Sequence, residues 1–72
     1  MKKLMESANK IEKVLKDNKI KYNFMSSNGT ITINFFNIKK FDKIEDQVID
    51  ILRNEDVDFS LFTNEIRIEE KI

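Results

Sequence analysis

The sequence predicts an α+β fold in which a four-stranded sheet carries two helices on one face. Two segments have apolar residues at helical spacing, four shorter segments alternate apolar and polar residues, and the order helix–strand–strand occurs twice in 72 residues. Each helix has one apolar stripe and each strand pair one apolar face, and neither can be buried alone. We therefore expect one domain, residues 1–72, near the lower size limit for an independent core.

The first repeat, about residues 4–36, begins with a helix that should stop near Asp17. Its apolar stripe, with two flanking residues, consists of Leu4, Met5, Ala8, Ile11, Val14 and Leu15. Two alternating strands follow, joined by a hairpin turn at Asn28 and Gly29, since both residue types tolerate positive φ. The inward positions of these strands are Ile20, Tyr22, Phe24, Ile31, Ile33 and Phe35.

The second repeat, about residues 41–72, has the same order of elements. Its helix is expected from Phe41 to Asn54, with Asp42 and Glu45 at the spacing of a capping box. The helix stripe consists of Phe41, Ile44, Val48, Ile51 and Leu52. The inward strand positions are Val57, Phe59, Leu61, Ile66, Ile68 and Ile72. The turn between these strands, Thr63 to Glu65, is predicted to be shorter than the first one.

The two repeats align with a shift of 37 residues, which places Ile20 on Val57 and Met25 on Phe62. Two residues then drop out of the second turn. This alignment predicts a tandem duplication of one αββ unit, in which the two half-cores complete each other. We expect an antiparallel or mixed sheet, wired as a permuted ferredoxin-like arrangement.

Charge is balanced overall but is unevenly distributed. Residues 1–36 carry seven lysines against three acidic residues, a net charge of +4, and residues 37–72 carry six basic against ten acidic residues, a net charge of −4. We expect these halves to orient contacts between molecules, with the basic first helix near the acidic second helix of a neighbour. Exposed ion pairs are individually weak, so they would orient such a contact rather than create it.

The residue types that the chain lacks argue against catalysis. It has no His and no Cys, which excludes Ser-His-Asp and Cys-His nucleophiles and a zinc site. A single Gly excludes a glycine-rich phosphate loop. We therefore predict a protein that is not an enzyme and that has no cofactor and no metal site.

Three apolar residues fall on the strand face that should meet water, namely Met25, Phe36 and Phe62. An apolar patch on an otherwise charged protein is typical of a protein contact. We predict that these residues, together with Arg67, bind a protein partner or a second copy of the chain in a homodimer.

Two charged patches give further candidates. The basic patch follows the first helix and the chain after it, with Lys10, Lys13, Lys16, Lys19 and Lys21. The acidic patch on the second helix consists of Glu45, Asp46 and Asp50. Basic residues near exposed aromatic side chains are also typical of open-sheet nucleic-acid binding, which is the alternative function. The chain has only two arginines, Arg53 and Arg67, to stack on bases, which favours the protein partner.

No apolar run in the sequence is long enough for a signal or membrane segment, so a cytoplasmic location without membrane contact is expected. Lys, Ile and Asn, which have AT-rich codons, make up 30 of 72 residues and indicate a low-GC bacterium or its mobile elements. The predicted function is a small non-enzymatic protein-binding module, borne by a phage or plasmid. It would modulate or inhibit a host protein machine through surface complementarity.

Overall fold

Two helices and four strands make up the fold in the computed structural model, which describes residues 2–71. The elements are α1 Lys2–Asp17, β1 Tyr22–Ser27, β2 Thr30–Phe35, α2 Ile38–Asn54, β3 Val57–Leu61 and β4 Glu65–Glu70. The strand order is β1-β2-β4-β3, and every neighbouring pair is antiparallel. The predicted α+β class is confirmed, and of the two sheet types expected from the sequence the antiparallel one is present.

The core lies between the helices and one face of the sheet. Leu15 of α1 and Leu52 of α2 are fully buried, as predicted. The buried strand residues are Ile31, Ile33, Phe35, Val57, Ile66 and Ile68. The partly buried ones that pack against them are Tyr22, Phe24, Phe59 and Leu61. All of these residues were predicted to point inward, whereas Ile72 lies outside the described residues.

The stripe of α1 differs from its prediction at two positions. Met5 is exposed, and Ser7 is fully buried. The Ser7 hydroxyl is within hydrogen-bond distance of the Lys3 carbonyl and of a Glu55 carboxylate oxygen, at 3.2 and 3.3 Å. A small polar residue is therefore tolerated in the helix interface because its hydroxyl has acceptors there.

Two backbone hydrogen bonds cap the C-terminus of α1, and the residue between them has a left-handed backbone conformation. Ile20 N–H donates to the Leu15 carbonyl at 2.9 Å, and Lys19 N–H donates to the Lys16 carbonyl at 3.0 Å. Lys19 has φ 57°, the conformation that this capping motif requires and that Gly usually supplies. The cap places Ile20 against the core, where it is buried, and directs the chain into β1.

The N-terminus of α2 lies three residues before the predicted one. Asn37 is the N-cap, and its side-chain oxygen accepts a hydrogen bond from Lys40 N–H at 3.0 Å. The capping box predicted at Asp42 and Glu45 is therefore wrong, because Asn37 already satisfies a free amide at the helix start. Phe41, the predicted first residue, lies inside the helix and stacks on Phe35 with 4.0 Å between ring centroids.

The two hairpin turns have the same length, which corrects the predicted shorter second turn. Asn28 and Gly29 have φ 46° and 78°, as a type I′ turn requires, and they join paired residues Ser27 and Thr30. In the second hairpin Phe62 N–H donates to the Glu65 carbonyl at 2.8 Å, and again two residues lie between the bonded pair.

Strand register therefore relates the hairpins by a shift of 35 residues instead of 37. Phe24 faces Ile33 in the first hairpin, and Phe59 faces Ile68 in the second. The two extra residues lie between helix and strand, where residues 18–21 precede β1 but only residues 55–56 precede β3. The counterpart of Met25 in the second hairpin is therefore Ser60, and the predicted equivalence of Met25 and Phe62 is wrong.

Candidate protein interface on the open face

The side chains that point away from the helices form one uncovered surface of the sheet, which we call the open face. It exists because strand side chains alternate and both helices pack on the opposite side. Its members are Asn23, Met25, Ser27, Thr30, Thr32, Asn34, Phe36, Asp58, Ser60, Phe62, Glu65, Arg67 and Glu69. Large apolar side chains on this surface are therefore exposed by the register of the sheet.

Phe62, Arg67 and Glu65 form an ordered group on the open face. The Arg67 guanidinium lies over the Phe62 ring, 5.2 Å from its centroid. The same guanidinium donates from Nη2 to Glu65 Oε2 at 2.9 Å. Both contacts place the Arg67 side chain across the Phe62 ring, while half of the Phe62 surface, 52%, stays exposed. An aromatic ring beside an oriented arginine has the composition of an interface hot spot.

Met25 lies in the same row of the open face as Arg67. Met25 pairs with Thr32, Thr32 pairs with Arg67, and Arg67 pairs with Ser60. Met25 is 58% exposed and stands on the edge strand β1, whereas Phe62 follows the opposite edge strand β3. At a strand spacing of about 4.8 Å, the β1 and β3 edges are about 14 Å apart.

Phe36 directly follows β2, where its N–H donates to the Lys21 carbonyl at 3.1 Å. Its side chain is 62% exposed. Of the four residues predicted to bind a partner, the structure brings Phe62 and Arg67 into direct contact. Met25 and Phe36 share their surface but belong to the other half of the sheet. The candidate interface is therefore a broad surface centred on Arg67, on which the exposed apolar side chains stand apart from one another.

The open face carries more acidic than basic groups. Asp58, Glu65 and Glu69 all lie on it, and Asp58 is directly opposite Glu69 in the β3–β4 ladder. Arg67 is the basic residue among the strand positions of this face, and Glu65 partly neutralises it. A surface of this charge repels a phosphate backbone, so it disfavours the alternative of open-sheet nucleic-acid binding.

The predicted basic patch lies on a different surface. Lys10, Lys13 and Lys16 are exposed on α1, which covers the side of the sheet opposite the open face. Lys10 Nζ is 3.0 Å from Glu55 Oε1, so one charge of the patch is paired within the molecule. Lys19 serves the helix cap, and Lys21 lies in the connection to β1. Lys21 is bonded opposite Phe36, so its side chain falls on the open face, whereas the lysines of α1 do not share a surface with the exposed apolar residues.

The three residues of the predicted acidic patch differ in exposure. Asp46 and Asp50 are exposed, while Glu45 is half-buried beside the helix stripe. Among the residues that the structure describes, no group of three or more His, Cys, Asp or Glu side chains is arranged to hold a metal ion.

Sequence reasoning missed two carboxylates that orient other side chains. Glu65 orients Arg67, and Glu12 accepts a hydrogen bond from the Tyr22 hydroxyl at 2.6 Å. Burial, the hydrogen bond to Glu12 and the negative charge of that carboxylate together raise the pKa of Tyr22 to about 12. Glu65 and Arg67 are two residues apart on one strand, a spacing that puts both side chains on the same face.

Comparisons with protein-family models, with curated proteins and with solved structures give no match to this chain. Within residues 2–71 no helix has the length and apolar character needed to cross a membrane.

Proposed function

We propose that this protein is a small non-enzymatic protein-binding module that acts through the open face. It belongs in the cytoplasm as a phage- or plasmid-borne modulator or inhibitor of a host protein machine. Its fold is a duplicated αββ unit in a permuted ferredoxin-like arrangement. The observation that carries the proposed function is the exposed Phe62 ring held against the oriented Arg67 guanidinium.

The charge and shape of this face support a protein partner. An antiparallel sheet with three half-exposed apolar side chains offers apolar anchors, and the threonines and asparagines around them can form a polar rim. Phe62 and Arg67 are of the residue types that contribute most to interface affinity. The acidic residues around them favour a partner with a mixed or basic surface.

The expected affinity is modest. Burying an apolar side chain of this size contributes about 1.5–3 kcal/mol, and Met25, Phe36 and Phe62 together offer three such anchors. The loss of translational and rotational freedom on association costs a similar amount of free energy, which offsets most of this gain. We therefore expect a dissociation constant on the order of micromolar.

Affinity capture from a lysate of the organism that encodes the protein tests the proposal. Wild type should retain a partner that Phe62→Ser loses, because the serine removes the ring that the partner covers. Arg67→Lys should weaken capture, since lysine keeps the charge but not the planar group that lies on the ring. The matched control is Ile38→Ser, which removes another exposed apolar side chain, 40% exposed, at the start of α2.

One outcome of the capture experiment would contradict the proposal. If Phe62→Ser and wild type, both shown by thermal unfolding to be folded, capture the same partner equally, the open face is not the binding surface. Retention on a polyanion column that falls steeply with salt would instead indicate nucleic acid. In that case Lys13→Glu should reduce retention, while Phe62→Ser should leave it unchanged.

A further inference from the structure

The two outer edges of the sheet are a structural feature distinct from its open face. The sheet ends at β1 on one side and at β3 on the other, and in the part of the chain that the structure describes no strand lies beyond either. An edge strand presents unpaired backbone donors and acceptors, which proteins usually protect with charged residues, proline or bulges. The two edges of this sheet differ in that protection.

The hydrogen-bond pattern identifies which groups face outward on β1. Phe36 N–H donates to the Lys21 carbonyl, so this pair is hydrogen-bonded. Bonded and non-bonded pairs alternate along an antiparallel ladder, which makes the pairs of Tyr22, Phe24 and Ser26 with β2 non-bonded. The N–H and C=O groups of these three residues therefore point away from β2, toward the free edge.

β1 has no charged residue and no proline from Tyr22 to Ser27, and it pairs with β2 without a bulge. By contrast, β3 contains Asp58, and the exposed Asp56 directly precedes it. In a pair of β3 strands centred on Phe59, the counterpart of Phe24, the two Asp58 carboxylates would lie diagonally across the two-fold axis and repel each other. The charge pattern thus protects β3 and leaves β1 able to pair with a copy of itself.

We propose that β1 pairs antiparallel with β1 of a second copy, across a two-fold axis at Phe24. This register uses the whole ladder from Lys21 to Ser27, and it preserves the alternation, so core-side residues meet core-side residues. Tyr22 then faces Ser26 of the other copy, and roughly six backbone hydrogen bonds form. The product is one continuous eight-stranded sheet with all four helices on one face.

The flanking helix is compatible with this contact. The hydrogen bond from Tyr22 to Glu12 shows which side of α1 lies over β1. Met5 and Lys16 fall on the same side by helical geometry. That side therefore offers one acid, one base and an exposed apolar side chain, so two copies meet without net repulsion. The two Lys21 residues stand at opposite ends of the paired strands, about 20 Å apart, where salt screens them.

Molar mass by light scattering, measured over a concentration series, tests this edge pairing. Wild type should approach twice the chain mass at hundreds of micromolar. Ser26→Pro should raise the dissociation constant about tenfold or more, because it removes two intermolecular hydrogen bonds per dimer. The intramolecular ladder keeps its bonds, since Ser26 N–H points away from β2. Thermal unfolding verifies that the variant monomer is folded.

A matched pair of lysine substitutions distinguishes the two edges. Met25→Lys places two positive charges diagonally across the proposed two-fold axis and should dissociate the dimer. Ser60→Lys adds the same charge at the corresponding position of β3 and should leave the dimer intact. In wild type the Phe24 amide should exchange with solvent more slowly as concentration rises, and in Ser26→Pro its exchange should not depend on concentration.

Four results would overturn the proposal. The first three are a wild type that stays monomeric, a dimer that survives both Ser26→Pro and Met25→Lys, and a dimer that only Ser60→Lys dissociates. Dissociation by Phe62→Ser with no effect of Ser26→Pro would assign self-association to the open face, which also overturns edge pairing. Edge pairing and partner capture share Met25, so Ser26→Pro, which is not an open-face position, and Phe62→Ser, which is not on β1, are the variants that distinguish them.

Discussion

Tyr22 is the residue at which the electrostatics of this protein are easiest to measure. It is the only tyrosine of the chain, so absorbance of tyrosinate reports one group. Burial, and then the hydrogen bond to Glu12, raise its pKa to about 12, compared with about 10 in an unfolded chain. The folded state thus holds the phenol proton in a pH range where the unfolded state has released it.

The sign of the resulting pH dependence follows from proton linkage. Below pH of about 10 both states hold the proton, and the stabilisation is fully present. Between about 10 and 12 the unfolded state binds fewer protons, so stability falls as pH rises through the pKa of folded Tyr22. We expect Tyr22→Phe to remove this part of the decline, measured as the denaturation midpoint against pH.

Glu12→Gln separates the two main causes of this shift. The titration midpoint of Tyr22 should fall, because the carboxylate no longer accepts the bond, but it should stay above 10, because burial is the larger cause. A midpoint near 10 in the wild type would contradict both the burial of the phenol and its hydrogen bond to Glu12. Lysines titrate in the same pH range, so each variant is compared with wild type at the same pH.

At the scale of elements, the cap of α1 contains the most clearly unfavourable backbone conformation of the chain. Lys19 has φ 57°, which costs a residue with a Cβ about 1–2 kcal/mol relative to right-handed conformations. Lys19→Gly should raise the free energy of unfolding by about 1 kcal/mol, after the greater entropy of unfolded glycine is subtracted. In a domain of this size, that corresponds to about 4–8 °C in melting temperature.

Lys19→Ala is the control for this prediction. It removes the same positive charge but keeps the Cβ, so it should not raise the melting temperature as Lys19→Gly does. Equal stabilisation by both substitutions would assign the effect to charge in the basic patch and not to the backbone. The gain from glycine should also be insensitive to salt, since it is conformational.

The helices and strands show which features of the fold could be predicted from the sequence. Helical and alternating periods were enough to predict both helices, all four strands and the inward residues. They were not enough to locate the two-residue difference between the helix–strand connections, because strand side chains repeat every two residues. A shift of 35 and a shift of 37 therefore predict the same inward face. Only the bonded pairs, such as Phe62 with Glu65, reveal the register.

The same limitation applies to the candidate site. Exposure of Met25, Phe36 and Phe62 follows from alternation and was predicted. The contact of Arg67 with Phe62 depends on the pairing of β3 with β4, which the pattern alone does not specify. Asn37 was missed as the helix cap for a related reason. Capping residues are common in this sequence, and only backbone geometry selects one of them.

At the scale of the whole molecule, some of the opposite charges of the two halves form ion pairs within one chain. Lys3 and Lys10 of α1, in the basic half, reach Asp56 and Glu55 at the end of α2, in the acidic half. The distances are 3.1 and 3.0 Å. The asymmetry predicted to orient contacts between molecules thus also joins the two αββ units within one molecule. Its contribution to contacts between molecules stays a prediction.

These two adjacent carboxylates differ in surroundings, which gives the last prediction. The Glu55 side chain is only 18% exposed and lies within hydrogen-bond distance of the buried Ser7 hydroxyl and of Lys10, whereas that of Asp56 is 62% exposed. Glu55→Ala should lower the free energy of unfolding by about 1–2 kcal/mol, since it removes the charged group near the Ser7 hydroxyl and Lys10, although the hydroxyl can still donate to the Lys3 carbonyl. Asp56→Ala should lower the free energy of unfolding by about 0–1 kcal/mol. Most of that difference from wild type should disappear in 1 M salt, which screens exposed charges. Urea midpoints at low and high salt measure both effects. Equal costs for the two variants would show that the halves are joined by exposed charge alone and not by the buried contact between Ser7 and Glu55.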